Sequence, residues 1–436
     1  MRAMISFEST CWSSSVLARR FTCTFRSNHL PRHGPSPEYR ADLIDTRPLA
    51  EGRSVSVETT DMEVAAFRYV DGGWSHPFPT LDSDQTMVIA FASPSFDARP
   101  DVLAALAAAF PRSAVIGCST SGEIDQTRIR DESITVAAVR FAGTRVRCAR
   151  ALLDSAADSF AAGAAVADAL AADDLRSVLV LSEGVHVNGS ELVRGLNAHL
   201  PDSVVVTGGL AGDGARFART WVLADGKAET NTVVAIGLYG DRVRITHGSQ
   251  GGWDVFGPER VVTASTGNVL HALDGRPALA LYKEYLGDRA VGLPSSALLF
   301  PLALRDSNSG SNRVVRTVLS VDEATQSLTF AGDIPTGHYV RLMRANFDRL
   351  ILGAQGAGVA AASGHDGPIL SIAISCVGRR LVLGERTEEE TEATLDSMSR
   401  DTTQVGFYAY GEISPHATGR CDLHNQTMTL TVVSEV

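Results

Sequence analysis

The chain has 436 residues, of which 44% are hydrophobic and 20% are charged, and its formal net charge is -11. This length exceeds what one hydrophobic core usually organises, so we expect two domains. The acidic charge argues against binding nucleic acid through its phosphates, and the longest apolar stretches are shorter than the roughly 20 residues of a transmembrane helix. We therefore expect a soluble protein with neither a nucleic acid nor a membrane partner.

Residues 1 to 61 form an arm that differs from the rest of the chain. Its first part, residues 1 to 40, contains six arginines but only Glu8 and Glu38 as acids, a composition like that of an organellar transit peptide. The arm has no apolar stretch of secretory length and no strong period. We predict that it is disordered, or that the start codon is assigned too early.

From residue 87 onward the chain repeats a β-α-β-β pattern. The first copy has a strand over 87–93, a helix over 97–110, a second strand that ends in Gly122-Glu123, and a last strand over 133–141. The second copy has a strand over 177–184, a helix over 189–200, a second strand that ends in Gly212-Asp213, a short strand over 217–223, and a last strand over 231–240. Apolar runs at these spacings favour buried strands that alternate with amphipathic helices.

Near residue 250 the pattern changes, and we place a domain boundary there. A strand pair over 245–250 and 260–266 is followed by a short helix over 268–273 and by a second helix that begins at Pro277 and ends at Gly287. Strands over 297–304, 313–321, 327–332 and 338–343 then predict an antiparallel meander, with a turn over 322–326. A helix over 346–363 leads to the last part of the chain.

A third, weaker copy of the repeat ends the chain. It has a strand over 368–376, a helix over 387–398, a strand that ends in Gly411-Glu412, and a last strand over 427–435. The sequence therefore predicts the α/β (α+β) class, with repeated units that form mixed sheets flanked by helices. We expect two domains of similar size, over 62–250 and 251–436.

The cysteines give no sign of a disulfide framework or a zinc site. The six are Cys11, Cys23, Cys118, Cys148, Cys376 and Cys421. No C-x-x-C pair occurs among them, so we expect a reducing cytoplasm and no structural metal.

Each copy of the repeat places an acid directly after a glycine at the end of its second strand. We call these three turns the Gly-acid loops. The carboxyl ends of strands are a usual place for ligands in open α/β sheets, and carboxylates that meet there suit an ammonium group or a cation. Nearby hydroxyls and a bidentate arginine would complete an amino-acid pocket. The predicted ligand-binding residues are Ser119, Thr120, Ser121, Glu123, Asp213, Arg379, Arg380 and Glu412.

The alternative is that the three acids of these loops cap helices or accept turn amides. Common enzyme signatures do not occur: residues 117–121 break the G-x-S-x-G pattern, and there is neither H-E-x-x-H nor a Walker loop. Residues 356–361 fit G-x-G-x-x-A, but they lie inside a predicted helix, where small residues allow close packing. We therefore predict that the protein is not an enzyme.

Several long motifs resemble the FIST family, whose name refers to F-box and intracellular signal transduction. VIGCSTSGEI and VVTGGLAGDGARF resemble motifs of the FIST N-domain. GNVLHALDGRPALALYKEYLG, RTVLSVDEATQSLTFAGDIPTGHYVRLMR, CVGRRLVLGER, GFYAYGEISP and LHNQTMTLTVV resemble motifs of the FIST C-domain. The resemblance covers residues 64 to 435.

The resemblance implies a bacterial, cytoplasmic sensory module that binds a small ligand such as an amino acid. Because the sequence shows no output segment, we expect a separate signalling partner such as a kinase, a cyclase or a receptor. Some relatives are haem proteins that sense nitric oxide, and for this alternative His424 is the candidate axial ligand, with His271, His247 and His186 also considered. Eukaryotic relatives suggest a third alternative, an interaction scaffold without a small ligand.

Overall fold

A computed structural model of the chain describes residues 62–306, 313–365, 367–416 and 420–436. The predicted disordered arm lies outside these residues. The described part combines helices with several mixed sheets, which confirms the α/β (α+β) class. None of the helices in these ranges is both long and apolar enough to cross a membrane.

Strands dominate the first part of the fold. They are β1 Glu63–Val70, β2 Gly73–Trp74, β3 Thr86–Ala92, β4 Ala114–Ser119, β5 Glu123–Asp125, β6 Arg128–Arg130, β7 Ile134–Arg140, β8 Arg145–Leu152, β9 Leu175–Ser182, β10 Val205–Leu210, β11 Val222–Ala224, β12 Lys227–Glu229, β13 Thr232–Tyr239 and β14 Val243–Gln250. The helices are α1 Pro100–Ala109, α2 Ser159–Leu170 and α3 Gly189–His199. The main elements predicted for the first two copies are confirmed, whereas β8 and α2 have no predicted counterpart.

The second part contains thirteen further strands. They are β15 Asp254–Thr266, β16 Val269–Leu273, β17 Arg276–Pro277, β18 Leu302–Arg305, β19 Arg313–Arg316, β20 Val318–Asp322, β21 Ser327–Phe330, β22 Tyr339–Arg344, β23 Ile369–Cys376, β24 Thr402–Ala409, β25 Gly411–Pro415, β26 Cys421–His424 and β27 Met428–Glu435. The helices are α4 Ala278–Leu286, α5 Phe347–Ala361, α6 Val377–Leu383 and α7 Thr387–Leu395.

The helix predicted over 268–273 is wrong, because this segment is strand β16. Leu270 and Leu273 are both buried, and their spacing of three resembles a helical face. In the structure this spacing arises from register shifts in the pairing of β16 with β15. Pairing on both sides, with β15 and β21, outweighs the local pattern.

Three sheets share one strand order. The orders are β12-β11-β4-β3-β7-β1 with β2 added at its edge, β26-β25-β10-β9-β13-β8, and β6-β5-β24-β23-β27-β14. In each sheet the first two strands of one copy are parallel, and the last strand of that copy is antiparallel to the first. This shared order supports the repeat that the sequence indicates.

Each sheet is completed by a hairpin from another copy. Hairpin β5–β6 follows the first Gly-acid loop and joins the sheet of the third copy, β11–β12 follows the second loop and joins the first sheet, and β25–β26 follows the third loop and joins the second sheet. We call these the exchanged hairpins. They link the copies in a closed cycle. The domain boundary near residue 250 stays a prediction, and two of the sheets contain strands from both sides of it.

An eight-stranded sheet is inserted between β14 and α5. We call it the inserted sheet; its strands are β15 to β22, and α4 packs on its apolar side through Leu279 and Tyr282. Strands β20 and β21 pair as an antiparallel hairpin around the turn at 322–326, which confirms this part of the predicted meander. The inner faces of the other three sheets form a common core, in which Phe91 and Phe407 stack with ring centroids 4.7 Å apart.

A glycine occupies the same place in the second strand of each copy. At Gly117, Gly208 and Gly406 a Cβ atom would lie 2.1, 1.8 and 1.8 Å from a carbonyl oxygen of the neighbouring strand. These distances are far below van der Waals contact, so the parallel strands approach each other in a way that only glycine allows.

Replacing Gly406 with alanine is therefore expected to lower the free energy of unfolding by about 1–3 kcal/mol, because the two buried strands must separate. Chemical denaturation measures the loss. The control is Gly73→Ala, where no atom lies within 4 Å of the new Cβ. Equal stability of the two variants would contradict the close-approach argument.

Candidate functional site

The three Gly-acid loops and the residues that flank them lie against one another. The backbone N of Gly212 donates to the carbonyl oxygen of Ser119 at 3.0 Å, and the N of Gly214 donates to Ser121 Oγ at 2.9 Å. The third copy joins them through Tyr408, whose carbonyl oxygen accepts from the N of Ser121 at 2.8 Å. The structure thus brings the loops together through direct hydrogen bonds.

Glu123, on β5, is almost fully buried. Its carboxylate accepts from Thr120 Oγ1 at 2.5 Å and from the backbone N and Oγ of Ser133 at 3.2 and 2.7 Å. Burial raises the pKa of Glu123 to about 7, although the hydrogen bonds oppose this rise. Because Ser133 directly precedes β7, Glu123 fixes the start of the last strand of its copy.

Glu412 holds the equivalent place in the third copy. Its Oε2 accepts from the backbone N and Oγ1 of Thr427 at 3.1 and 2.8 Å, directly before β27. Its Oε1 lies near the Cys376 thiol and has no partner of good hydrogen-bond geometry among the described residues. Burial raises the pKa of Glu412 to about 8, so at neutral pH the group is mostly a protonated carboxylic acid.

Asp213 has a different set of contacts in the second copy. Its carboxylate accepts from the backbone N of residues 217, 218 and 219 at 2.9 to 3.0 Å, and from the hydroxyl of Tyr410. The rings of Phe217 and Tyr410 stack with centroids 4.6 Å apart. Asp213 therefore holds a loop in place by accepting turn amides, as in the alternative considered from the sequence.

The two predicted arginines differ in burial and in partners. Arg379 is fully buried and donates from Nε and Nη2 to Glu390 Oε2 at 2.9 and 2.7 Å. Arg380 is partly exposed, donates from both Nη atoms to Asp131 at 2.9 and 2.6 Å, and reaches the Ser121 carbonyl oxygen at 2.5 Å. Each guanidinium thus already has a carboxylate partner.

The remaining predicted hydroxyl is also engaged, since Ser119 Oγ accepts from the N of Trp221 at 3.1 Å. As ligand contacts, the eight residues chosen from the sequence stay predictions. None of them lines the cavities described below, and the contacts shown here give each of them a partner inside the protein.

His424, the haem candidate, is half-buried and lies beside another histidine. Its Nε2 lies 2.9 Å from the carbonyl oxygen of Ser414, which can only accept, so this nitrogen carries the proton. The His416 ring packs edge-on against it, with centroids 4.8 Å apart. Burial lowers the pKa of His424 to about 4. This nitrogen is therefore engaged, and Nδ1 is the ring atom left for an axial haem ligand, so the haem alternative stays a prediction.

A cavity of about 450 Å³ lies between α3, the exchanged hairpin β25–β26 and the inserted sheet. We call it the junction cleft. Its charged and polar lining includes Ser190, Glu191, Arg194, Arg305, Arg316, Asp333 and Asp422. This volume is within the range of about 300–1,000 Å³ that is usual for small-ligand sites.

Arg316 is the most buried cation of the junction cleft, at 5% exposure. It donates to the carbonyl oxygens of Val315, Asp333 and Leu423, and to Ser190 Oγ at 3.3 Å. None of the ion pairs found among the described residues includes it, and burial lowers its pKa. The charges of Asp422 and Asp333 act on this guanidinium, but its hydrogen bonds all go to neutral acceptors, which leaves it suited to an incoming carboxylate.

Several carboxylates line the same cleft, among them Glu191, Asp333 and Asp422. Asp333 accepts from Asn188 Nδ2 at 2.7 Å, and its carboxylate interacts with that of Glu191. Burial and the nearby Asp333 raise the pKa of Glu191. On the hairpin side, Asp422 pairs with His416 at 3.2 Å. Burial alone would raise the pKa of Asp422, but the hydrogen bond with His416 and the charge of Arg316 outweigh burial and hold this pKa below its usual range. The cleft thus offers both signs of charge.

Sequence reasoning missed the junction cleft, because its residues come from three distant stretches that carry no shared motif. Asn188 caps α3 by accepting from the backbone N of Ser190 and Glu191 at 3.1 and 3.3 Å, and such a cap is visible in a sequence. Arg316 ends β19 after two valines and lies just before the apolar strand β20. A charged residue within such an apolar stretch is the sequence signal that could have pointed to the cleft.

Two family models match the chain. The FIST N domain matches residues 86–276 and the FIST C domain matches residues 278–415, which together cover most of the chain. No curated protein was found to match it. FIST domains are sensory domains of signal transduction rather than a catalytic family. Through both of its characteristic domains, in the expected order, the chain belongs to the FIST family.

Proposed function

We propose that the protein is a cytoplasmic, non-enzymatic sensor that binds a small amino-acid-like zwitterion in the junction cleft and passes this signal to a separate protein. The observation that carries the proposal is that a buried guanidinium without an ion pair, Arg316, lines the same cavity as the interacting carboxylates of Glu191 and Asp333. The four described cysteines are unpaired, as a reducing compartment would keep them.

The charges of the cleft match the two ends of an amino acid. The ligand carboxylate takes the place beside Arg316, close to Ser190 Oγ at the N-terminal end of α3, where the helix dipole favours an anion. The ligand ammonium takes the place beside Glu191 and Asp333. These two carboxylates repel each other, so a cation between them stabilises both charged forms.

The position of the cleft suggests how occupancy is relayed. One wall belongs to α3 and another to the inserted sheet, so a ligand that contacts both favours the arrangement that brings them together. A kinase, a cyclase or a receptor that binds one arrangement better would then respond to the ligand. That such a signalling partner exists is itself part of this proposal.

Thermal stability of the full-length protein, measured with a panel of amino acids, tests this function. We expect concentration-dependent stabilisation by at least one amino acid, as mass action requires. Glu191→Gln is expected to weaken that ligand about tenfold or more, because a hydrogen bond to a charged group is lost. Arg316→Lys keeps the charge but loses the planar fork, so it should also weaken the ligand.

The matched control is Glu284→Gln, which removes an exposed carboxylate of α4 that pairs with Arg276. This variant should bind like the natural protein. If no amino acid stabilises the protein, or if all three variants bind equally well, the junction cleft is not the site of a zwitterion. An unresponsive protein would favour the interaction scaffold without a small ligand.

A further inference from the structure

The exchange of hairpins produces equivalent clefts around the molecule. Each lies between the second strand of one sheet, the hairpin that completes this sheet, and the edge strand of the next sheet. In the first sheet the cleft has a volume of about 430 Å³ and is lined by Ala114, Cys148 and Asp225. We call it the cysteine cleft.

In the second sheet the same three positions are Val205, His247 and Pro415. They line two adjoining cavities of about 450 and 180 Å³. We call this pair of cavities the histidine cleft. The equivalent place of the third sheet is bridged by an ion pair at 3.2 Å between Arg68 of β1 and Asp125 of β5. The histidine cleft is therefore a regular consequence of the fold and not an accident of packing.

The histidine cleft has one lining side chain without a hydrogen-bond partner. The ring of His247 is half-buried, lines both cavities, and makes no hydrogen bond with the described residues. Thr431 lies directly opposite His247 in the pairing of β14 with β27, and Thr207 follows Val205 by two positions on β10. Both threonines are at most 3% exposed, and neither Oγ1 has a hydrogen-bond partner among the described residues.

Side chains two apart on a strand, and side chains directly opposite each other on paired strands, point to the same face of a sheet. Thr431 therefore shares the face of His247, and Thr207 shares that of Val205. Neither threonine lines the two cavities, so these hydroxyls lie behind the lining and are not counted as ligand contacts.

We infer that the histidine cleft is a second ligand site, which binds an uncharged small molecule that carries hydroxyl or carbonyl groups. The His247 ring supplies a hydrogen-bond donor and an acceptor without a charge, since burial lowers the pKa of His247 and keeps the ring neutral at neutral pH. His424 of the same lining is neutral for the same reason.

The charged groups near the cleft are already compensated. His416 pairs with Asp422 at 3.2 Å, and Arg420 pairs with Asp202 at 2.6 Å. A charged ligand would lose its hydration without gaining an unpaired counter-charge, so it is disfavoured. The inference is independent of the junction cleft, which is built for both signs of charge, and either site can fail its test alone.

Nuclear magnetic resonance of the histidine rings tests this site in the full-length protein, labelled with nitrogen-15 at histidine. The His247→Phe variant assigns the His247 signal. We expect glycerol, the neutral probe, to shift this signal in a saturable way, whereas glycerate, its anionic analogue, leaves it unchanged. Equal shifts by both probes, a shift that does not saturate, or no shift with glycerol would overturn the inference.

Discussion

Replacing Arg379 with methionine is expected to lower the free energy of unfolding by about 3–5 kcal/mol, the usual result of breaking a buried ion pair from one side. Glu390 would remain as a buried carboxylate without its cation. Its other oxygen accepts from Tyr408 and Ser375 at 2.7 and 3.0 Å, and these hydroxyls cannot neutralise the charge. Arg379 also donates to the carbonyl oxygen of Leu350 on α5 at 2.9 Å, so the substitution removes this link between α6 and α5 as well.

The neighbouring residue provides the control. Arg380→Met removes a guanidinium whose partner, Asp131, has a side chain that is 66% exposed. Because water can solvate the carboxylate that remains, we expect the free energy of unfolding to fall by about 1 kcal/mol or less. Urea denaturation of both variants measures the difference. Similar losses would show that Arg379 and Glu390 are not a buried pair, and that the proposed core network is wrong.

These two arginines also show why the sequence could not identify the site. They are adjacent in CVGRRLVLGER, and both suit a carboxylate clamp by residue type. Their difference depends on Glu390, which lies on another helix and reaches only one of them. Helix α6 has seven residues, too few for the apolar period to show which side is buried.

The fold was predictable where its signals are local. Long apolar strands, amphipathic helices and the turn before α4 can be read from neighbouring residues, and the repeat follows from comparing them. The exchanged hairpins were not predictable. Strand β5 has three residues, and its partner on β24 lies far along the chain, so no local period links Glu123 to Phe407.

The same reason explains why both proposed clefts escaped prediction. Each cleft forms where a hairpin from one copy meets strands or helices from elsewhere. The hairpin β25–β26 contributes Asp422 to the junction cleft and Pro415 to the histidine cleft. A displacement of this hairpin by one ligand would therefore alter both cavities, and this provides a physical route for coupling two sites.

Glu412 is expected to make the protein less stable as the pH rises. Its folded pKa of about 8 lies above its ordinary value of 4.5, because burial disfavours the charged form. Between these values the native protein holds a proton that the unfolded chain has released, so the free energy of unfolding falls with increasing pH. The contribution is fully present below pH 4.5 and is lost as the pH rises through the folded pKa.

Glu412→Gln replaces the titrating acid with a neutral amide that can still accept from Thr427. At about pH 9 we expect this variant to be more stable than the natural protein by about 2–4 kcal/mol, and to show a flatter pH dependence. Denaturation curves between pH 5 and about pH 9 provide the measurement. Parallel curves for the two proteins would show that Glu412 does not titrate in this range.

The Glu123→Gln variant distinguishes the contribution of Glu123 to the pH dependence of stability from that of Glu412. The folded pKa of Glu123 is about 7, so its contribution should be lost at a lower pH than that of Glu412. Each variant should therefore remove a different part of the pH dependence, and the double variant should remove both, because the two carboxylates have no hydrogen-bond partner in common. Since Ser133 and Thr427 begin the last strands of their copies, loss of either proton weakens the fold where an exchanged hairpin is anchored. The repeat that shapes the clefts thus also places two buried acids where they tie the stability of the protein to pH.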